Sequence, residues 1–252
     1  MSGILIPEKL VDRHSPQDAD DRSAAAREIG AAWAERFIDL AGLKATDRVL
    51  DIGCGPGRMA IAIGEKLGWS NQYFGFDIFK RDIKFARKAI TKRYRSFTFE
   101  HLDIRNEHYN PKGRIPADSV KFPVSQNTFD FAFATSVFTH FTENDIRNYV
   151  RETYSALRPG GTFLATYFLV PRDYDTTPPN PGARFRLEHK IASHVRILYR
   201  NDPLKAVGYD VDWVSALYGQ AGFFDLRIIH GAWNCAPGAV SSQDILIARK
   251  PG

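Results

Sequence analysis

Residues 49–58 read VLDIGCGPGR, an apolar run and an acid followed by a glycine at every second position, Gly53, Gly55 and Gly57. Apolar residues that end in glycines describe a buried strand turning sharply into the next element. Glycine permits positive φ and carries no Cβ, so the backbone of such a turn passes close to a ligand with its N–H groups aimed at it. The spacing is G-x-G-x-G and not the G-x-G-x-x-G of dinucleotide folds. A glycine loop by itself does not separate phosphate, dinucleotide and other sites, so its neighbours decide.

Upstream, Ile29, Trp33, Phe37, Leu40 and Ala41 recur at three- and four-residue steps and predict a helix over Ser23 to Leu43. Downstream of the strand Arg48 to Ile52, Met59, Ile63 and Leu67 supply one face of a helix. The pattern then gives a strand over Tyr73 to Phe76 ending at Asp77, a helix over Lys80 to Lys92, and strands over Phe97 to Leu102 and Phe129 to Thr135. Thr142-x-x-Asp145 has the form of a helix start, with Ile146, Tyr149, Val150, Thr153, Tyr154 and Leu157 on one face. Leu157 to Gly161 reads as a proline–glycine stop before a strand over Thr162 to Leu169. Val211 to Ala221 is a helix, and Phe224 to His230 and Asp244 to Ala248 are strands near enough in sequence to pair antiparallel. Strands alternating with helices imply an α/β, doubly wound, mostly parallel sheet covered on both faces.

Residues 1–22 are polar with scattered apolar side chains and read as an N-terminal arm; residues 23–252 read as a single domain. Two connections, about 106–126 and 171–210, exceed the usual two to six residues. Both follow strands and so fall at the carboxyl edge of the sheet, where open α/β folds bind ligands; they are expected to be lid-like insertions.

The 252 residues are 44% hydrophobic and 25% charged, enough for a sizeable core. No window approaches an uncharged apolar membrane span, and MSGILIPEKLVDRHS lacks the pattern of a signal peptide, so a cytoplasmic protein is expected. Two cysteines exclude a disulfide framework and a Cys-rich zinc site. The net charge of +5 comes from 34 basic and 29 acidic residues that are interspersed, which argues for a solvated surface and against a nucleic-acid stripe.

Twenty residues past Gly57, Asp77 ends the next strand, where a carboxylate accepts both hydroxyls of a ribose. Asp103 ends the third strand and is placed to flank an adenine. With these acids on the page, the chain resembles the class I S-adenosylmethionine-dependent methyltransferases. VLDIGCGPGR resembles their first motif, FGFDI the second, HLDI the third, NTFDFAFATSVFTH the fourth and LRPGGTFLAT the fifth, all in the family's order over residues 46–168. The resemblance implies the Rossmann-like methyltransferase fold, a seven-stranded sheet with an antiparallel C-terminal strand. It implies S-adenosylmethionine as cofactor, with Gly53, Gly55 and Gly57 at its methionyl part and Asp51 near its amino group. Asp77 and Ile78 would meet the ribose side, Asp103 and the backbone of Ile104 the adenine, and Thr135 the sulfonium. The insertion after Asp103 departs from the simplest members of the family.

Methyl transfer to an alcohol needs a positioned lone pair and benefits from a base, for which histidine is best matched near neutrality. His140, between the fourth strand and the Thr142 helix start, is the expected catalytic base, ahead of His108, His189 and His194; the alternative is a histidine that only packs or caps its loop. No compact run of acids and histidines marks a metal site. Tyr109, Arg184 and Arg186 are candidate acceptor contacts, and Trp233 either stacks on a sugar or packs the final hairpin. The ending HGAWNCAPGAVSSQDILIARK and SVFTHF resemble, more loosely, methyltransferases of bacterial glycan and polysaccharide gene clusters. The expectation is therefore O-methylation of a hydroxyl on a sugar, glycan or related small molecule, with N-methylation of an amine or amino sugar and RNA methylation as alternatives.

Overall fold

The computed structural model describes residues 3–11, 21–68, 72–178 and 180–252; of the expected arm, residues 1–2 and 12–20 lie outside this set. The chain divides into two compact units, one holding residues up to Asp103 with Phe129–Phe131, the other holding Ile104–Thr128 and Ala132–Gly252.

The first unit contains α1 (Glu8–Val11), α2 (Arg22–Ala41), β1 (Arg48–Ile52), α3 (Arg58–Leu67), β2 (Gln72–Asp77), α4 (Lys80–Arg93) and β3 (Phe97–His101). Part of the expected arm is anchored: Ile6, Leu10 and Val11 are buried, and the Ser23 hydroxyl donates to the Ile6 carbonyl. Asp21 caps α2 by accepting the Ala24 N–H, and Gly42 ends it in the left-handed conformation. The buried face of α2 runs through Ala26, Gly30, Trp33, Ala34, Phe37 and Ala41, so Ile29 and Leu40 sit at its flanks. Small residues set that rotation, since a Cβ on Gly30 would meet the Arg58 carbonyl oxygen at 2.6 Å. β1 pairs parallel with β2, and β2 with β3.

The second unit continues with β4 (Ile104–Arg105), β5 (Ile115–Pro116), β6 (Phe129–Ala134, shared with the first unit), α5 (Glu143–Ala156), β7 (Leu157–Tyr167), β8 (Leu169–Val170), β9 (His189–Ala192), β10 (Val195–Ile197), β11 (Val207–Asp210), α6 (Val211–Ala221), β12 (Phe224–Ile229) and β13 (Asp244–Arg249). Thr142 and Asp145 form the expected capping box of α5. The main sheet has seven strands in the order β12-β13-β7-β6-β1-β2-β3, and β13 runs antiparallel to both of its neighbours.

Two expectations change. Leu157 caps the end of α5 as expected, but Leu157–Gly161 already belongs to β7, which starts five residues before Thr162: the Gly160 N–H is shared by the carbonyls of Lys250 and Pro251, and the Lys250 N–H returns to the Gly161 carbonyl. Gly160 reaches this register at φ 78°, which glycine adopts freely. The segment after Pro171 is not simply a long loop, because β9, β10 and β11 build a second sheet with β8 in the order β8-β11-β10-β9. Its core gathers Phe168, Val170, Tyr174, Leu187, Ala206 and Trp233. Among the described residues, no helix is long and apolar enough to cross a membrane.

Candidate active site

The turn between β1 and α3 holds all three loop glycines at positive φ, 77° at Gly53, 52° at Gly55 and 87° at Gly57. Gly53 and Cys54 donate their N–H groups to the Phe76 carbonyl, and Gly57 donates to the Cys54 carbonyl. Asp77, at the end of β2, fixes the loop from the side: one carboxylate oxygen accepts the Gly55 N–H at 2.7 Å and the other the Phe79 N–H at 2.8 Å. A Cβ on Gly57 would meet the Ile90 Cδ1 at 2.3 Å, so this glycine serves helix packing as well as loop shape.

Beneath the loop, Asp51 is buried and accepts a hydrogen bond from the Tyr73 hydroxyl. Burial pushes its carboxyl up to about 8; the Tyr73 hydrogen bond opposes this, the Asp77 charge adds to it and the Arg58 charge opposes it. Arg58, half-buried, is lowered to about 10 by desolvation. At about 8 the Asp51 carboxyl is mostly protonated near neutral pH and can ionise when a cationic group approaches. The Cys54 thiol is pushed well up by burial and by Asp51, so it stays protonated and unreactive, as a small turn residue should. Ile78 follows β2 half-buried and its carbonyl lies 3.2 Å from His101 Nε2; Asp103 follows β3, also half-buried.

In the second unit, Ile104 opens β4 and its carbonyl accepts from Asn110 Nδ2. Thr135 is buried directly after β6 and is followed by Ser136 at φ 56°, an uncommon conformation for a non-glycine residue. The Ser136 N–H donates to Thr166 Oγ1 at 2.7 Å, and both hydroxyls converge on Gln243 Oε1.

The insertion after β4 folds around Asn106. Its side-chain oxygen accepts the N–H groups of His108 and Tyr109, and its amide nitrogen donates to the His140 carbonyl at 2.8 Å. This presents the Tyr109 hydroxyl to His140 Nε2 at 3.4 Å. His140 Nδ1 donates to the Leu204 carbonyl at 3.0 Å, which leaves the Nε2 lone pair facing Tyr109. His108 Nδ1 lies 2.8 and 3.0 Å from the two carboxylate oxygens of Asp202, and its ring stacks parallel to His140 with centroids 6.0 Å apart.

Both nitrogens of His140, the expected base, lie within hydrogen-bonding distance of a partner, and desolvation lowers its pKa to about 4, with the Leu204 hydrogen bond only partly opposing. The expectation for Trp233 resolves: it is 1% exposed, its indole N–H donates to Asp244 at 2.7 Å, and it packs on Phe168 and Phe185, so no face is open to a sugar. Arg186 lies over the Tyr174 ring at 4.4 Å and donates to the Tyr174 carbonyl. Arg184 remains exposed, its own N–H tied to the Trp233 carbonyl.

A family profile described as a methyltransferase domain matches residues 24–212. The chain belongs to the class I S-adenosylmethionine-dependent methyltransferases. It is an enzyme of that family with S-adenosylmethionine as its cofactor. This methyltransferase is 26% identical over 201 residues to phosphoethanolamine N-methyltransferase 1 of Arabidopsis thaliana, covering 78% of this chain and 33% of the relative. It is 27% identical over 175 residues to sterol 24-C-methyltransferase of Kluyveromyces lactis, covering 68% and 42%. With 27-O-demethylrifamycin SV methyltransferase of Amycolatopsis mediterranei it shares 29% over 156 residues, covering 60% and 50%. The methyltransferase thus spans about a third to a half of the length of these relatives, whose names divide between nitrogen, carbon and oxygen acceptors. Among solved structures, a methyltransferase from Methanosarcina mazei superposes with a TM-score of 0.55 at 16% identity, over 85% of this chain and 97% of that one. A 1,6-didemethyltoxoflavin-N1-methyltransferase from Burkholderia thailandensis gives 0.53 at 16%, over 90% and 79%. These likenesses concern the fold.

Three features of this geometry escape sequence reasoning. Asp202 carries no local signal, being 94 residues from His108. Asn106 had one, an Asn two residues ahead of a polar turn, the pattern of an Asx turn. Thr166 and Gln243 meet only through sheet pairing, as β13 starts opposite the end of β7.

Proposed function

We propose that this methyltransferase moves the methyl group of S-adenosylmethionine to a hydroxyl of a sugar, glycan or related small molecule. The observation that carries this is the hydrogen-bonded cluster of His108, Tyr109, His140 and Asp202, since an alcohol benefits from a proton acceptor whereas a neutral amine needs positioning more than a base. The cofactor, when bound, supplies an electrophilic methyl on a sulfonium. Asp77, with Ile78 beside it, would hold its ribose; Asp103 and the Ile104 backbone its adenine. Gly53, Gly55, Gly57 and Asp51 would receive its methionyl part, and Thr135 would border the sulfonium. His140 orients Tyr109 toward the acceptor, and Arg184, exposed on the segment before β9, remains a candidate acceptor contact.

The test pairs acceptors that differ in one group: methyl glucoside and the corresponding amino sugar, each with methyl-labelled S-adenosylmethionine. Label on the hydroxyl-bearing sugar supports the reading. Label on the amino group alone turns it into N-methylation.

A further inference from the structure

We propose that His108, oriented by Asp202, is the residue that takes the proton from the acceptor hydroxyl. This rests on the O-methylation reading and names the base within it. Three features single out His108. Its Nδ1–H is held by both oxygens of the Asp202 carboxylate, at 2.8 and 3.0 Å, so the lone pair lies on Nε2. Among the described residues Nε2 has no protein partner, and the side chain is 22% exposed, whereas His140 has a partner at each nitrogen. Asp202 also stabilises the imidazolium that proton transfer creates, the role a carboxylate plays behind a histidine base.

The backbone fixes the arrangement on two sides: Asn106 accepts the His108 N–H, and Asp202 leads into the turn Pro203–Lys205. Among the described residues, the titratable groups facing the imidazole are Asp202 from that turn, His140 stacked beside it and Tyr109 edge-on at 4.4 Å. In the reaction the O–H proton passes to His108 Nε2. The electron pair of that bond stays on oxygen and forms the new C–O bond, while the pair of the broken methyl–sulfur bond leaves with sulfur. Tyr109, anchored by His140, borders the acceptor as a positioning residue.

The experiment uses the full chain with methyl glucoside and 13C-methyl-labelled S-adenosylmethionine. His108→Asn is expected to lower kcat by about 10²–10⁴-fold, the range for one general base, with cofactor affinity unchanged by calorimetry. Asp202→Asn is expected to lower kcat less and to move the acid limb of kcat/KM to lower pH, a displacement that a purely structural role would not produce. Imidazole nitrogen NMR, which needs no acceptor, is expected to show His108 as the Nδ1–H tautomer, lost in Asp202→Asn. O-methyl product formed by His108→Asn at near wild-type rate, or an Nε2–H tautomer in the wild type, overturns this assignment and leaves O-methylation standing. Methyl found only on nitrogen overturns O-methylation and this assignment with it.

Discussion

The glycine loop of the first unit and the imidazole cluster of the second are built from opposite materials. Gly53 to Gly57 form a turn of backbone, shaped by positive φ, its N–H groups bonded within the protein and its middle pegged by Asp77 at 2.7 Å, above the buried Asp51. His108, Tyr109, His140 and Asp202 present side chains, each positioned by another group from a distant part of the chain. The first region leaves no room for an added Cβ at Gly57; the second depends on single functional atoms. Holding a cofactor of fixed shape suits the first construction, and moving a proton suits the second.

The largest expected effect lies away from both. Trp233→Ala is predicted to destabilise the protein by about 3–5 kcal/mol, as for other buried tryptophans, read by denaturant unfolding. An effect on acceptor KM with stability intact would instead restore Trp233 as a sugar contact and extend the side-chain region.

Next is the contrast between two glycines at similar φ. Gly57→Ala, at φ 87° with Ile90 at 2.3 Å from the new Cβ, combines strain with overpacking and is predicted to cost about 3 kcal/mol. Gly42→Ala, at φ 73° with nothing within 4 Å, is predicted to cost about 1 kcal/mol. Equal costs in urea unfolding would show that Ile90 yields and that the loop is less constrained than described.

Asp51 gives a smaller, pH-dependent effect. Its carboxyl is raised to about 8, so at neutral pH it is mostly protonated and must ionise to meet a cation. Cofactor affinity is therefore predicted to rise from pH 6 to 8, by up to about tenfold per unit, with proton release measurable by calorimetry in buffers of different ionisation enthalpy. Stability carries the opposite sign: a raised folded pKa contributes most below the unfolded value of 3.8 and is lost as pH rises through about 8. A flat affinity profile would remove Asp51 from the cofactor's surroundings. The smallest effect is expected of Tyr109→Phe, which deletes a hydrogen bond of 3.4 Å to His140 and should lower turnover only a few-fold.

The two regions also differ in how far the amino-acid order reveals them. β1 over Arg48–Ile52 and α6 over Val211–Ala221 match their expected bounds because apolar runs, glycine and periodicity act locally. The loop glycines and Asp77 are legible for the same reason: the turn, the following helix and the next strand are consecutive. The second sheet was read as loop because its strands are only two to four residues long, too short for alternation to register. His140 invites reading as a base because a free histidine has a suitable pKa; the Leu204 carbonyl that its Nδ1 meets lies 64 residues away and carries no local signal. Asp202, which decides between two histidines, is likewise invisible until the fold brings it to His108.

The most direct measurement is calorimetric titration of S-adenosylmethionine into the wild type, Asp77→Ala and His108→Asn, with methyl transfer followed on the same samples. The account predicts affinity lowered at least about tenfold by Asp77→Ala, from the loss of a charge-assisted acceptor, and unchanged by His108→Asn, whose loss appears in turnover alone. Wild-type affinity in Asp77→Ala, or equal loss of affinity in both variants, would contradict the division between a backbone-built cofactor site and a side-chain-built proton acceptor.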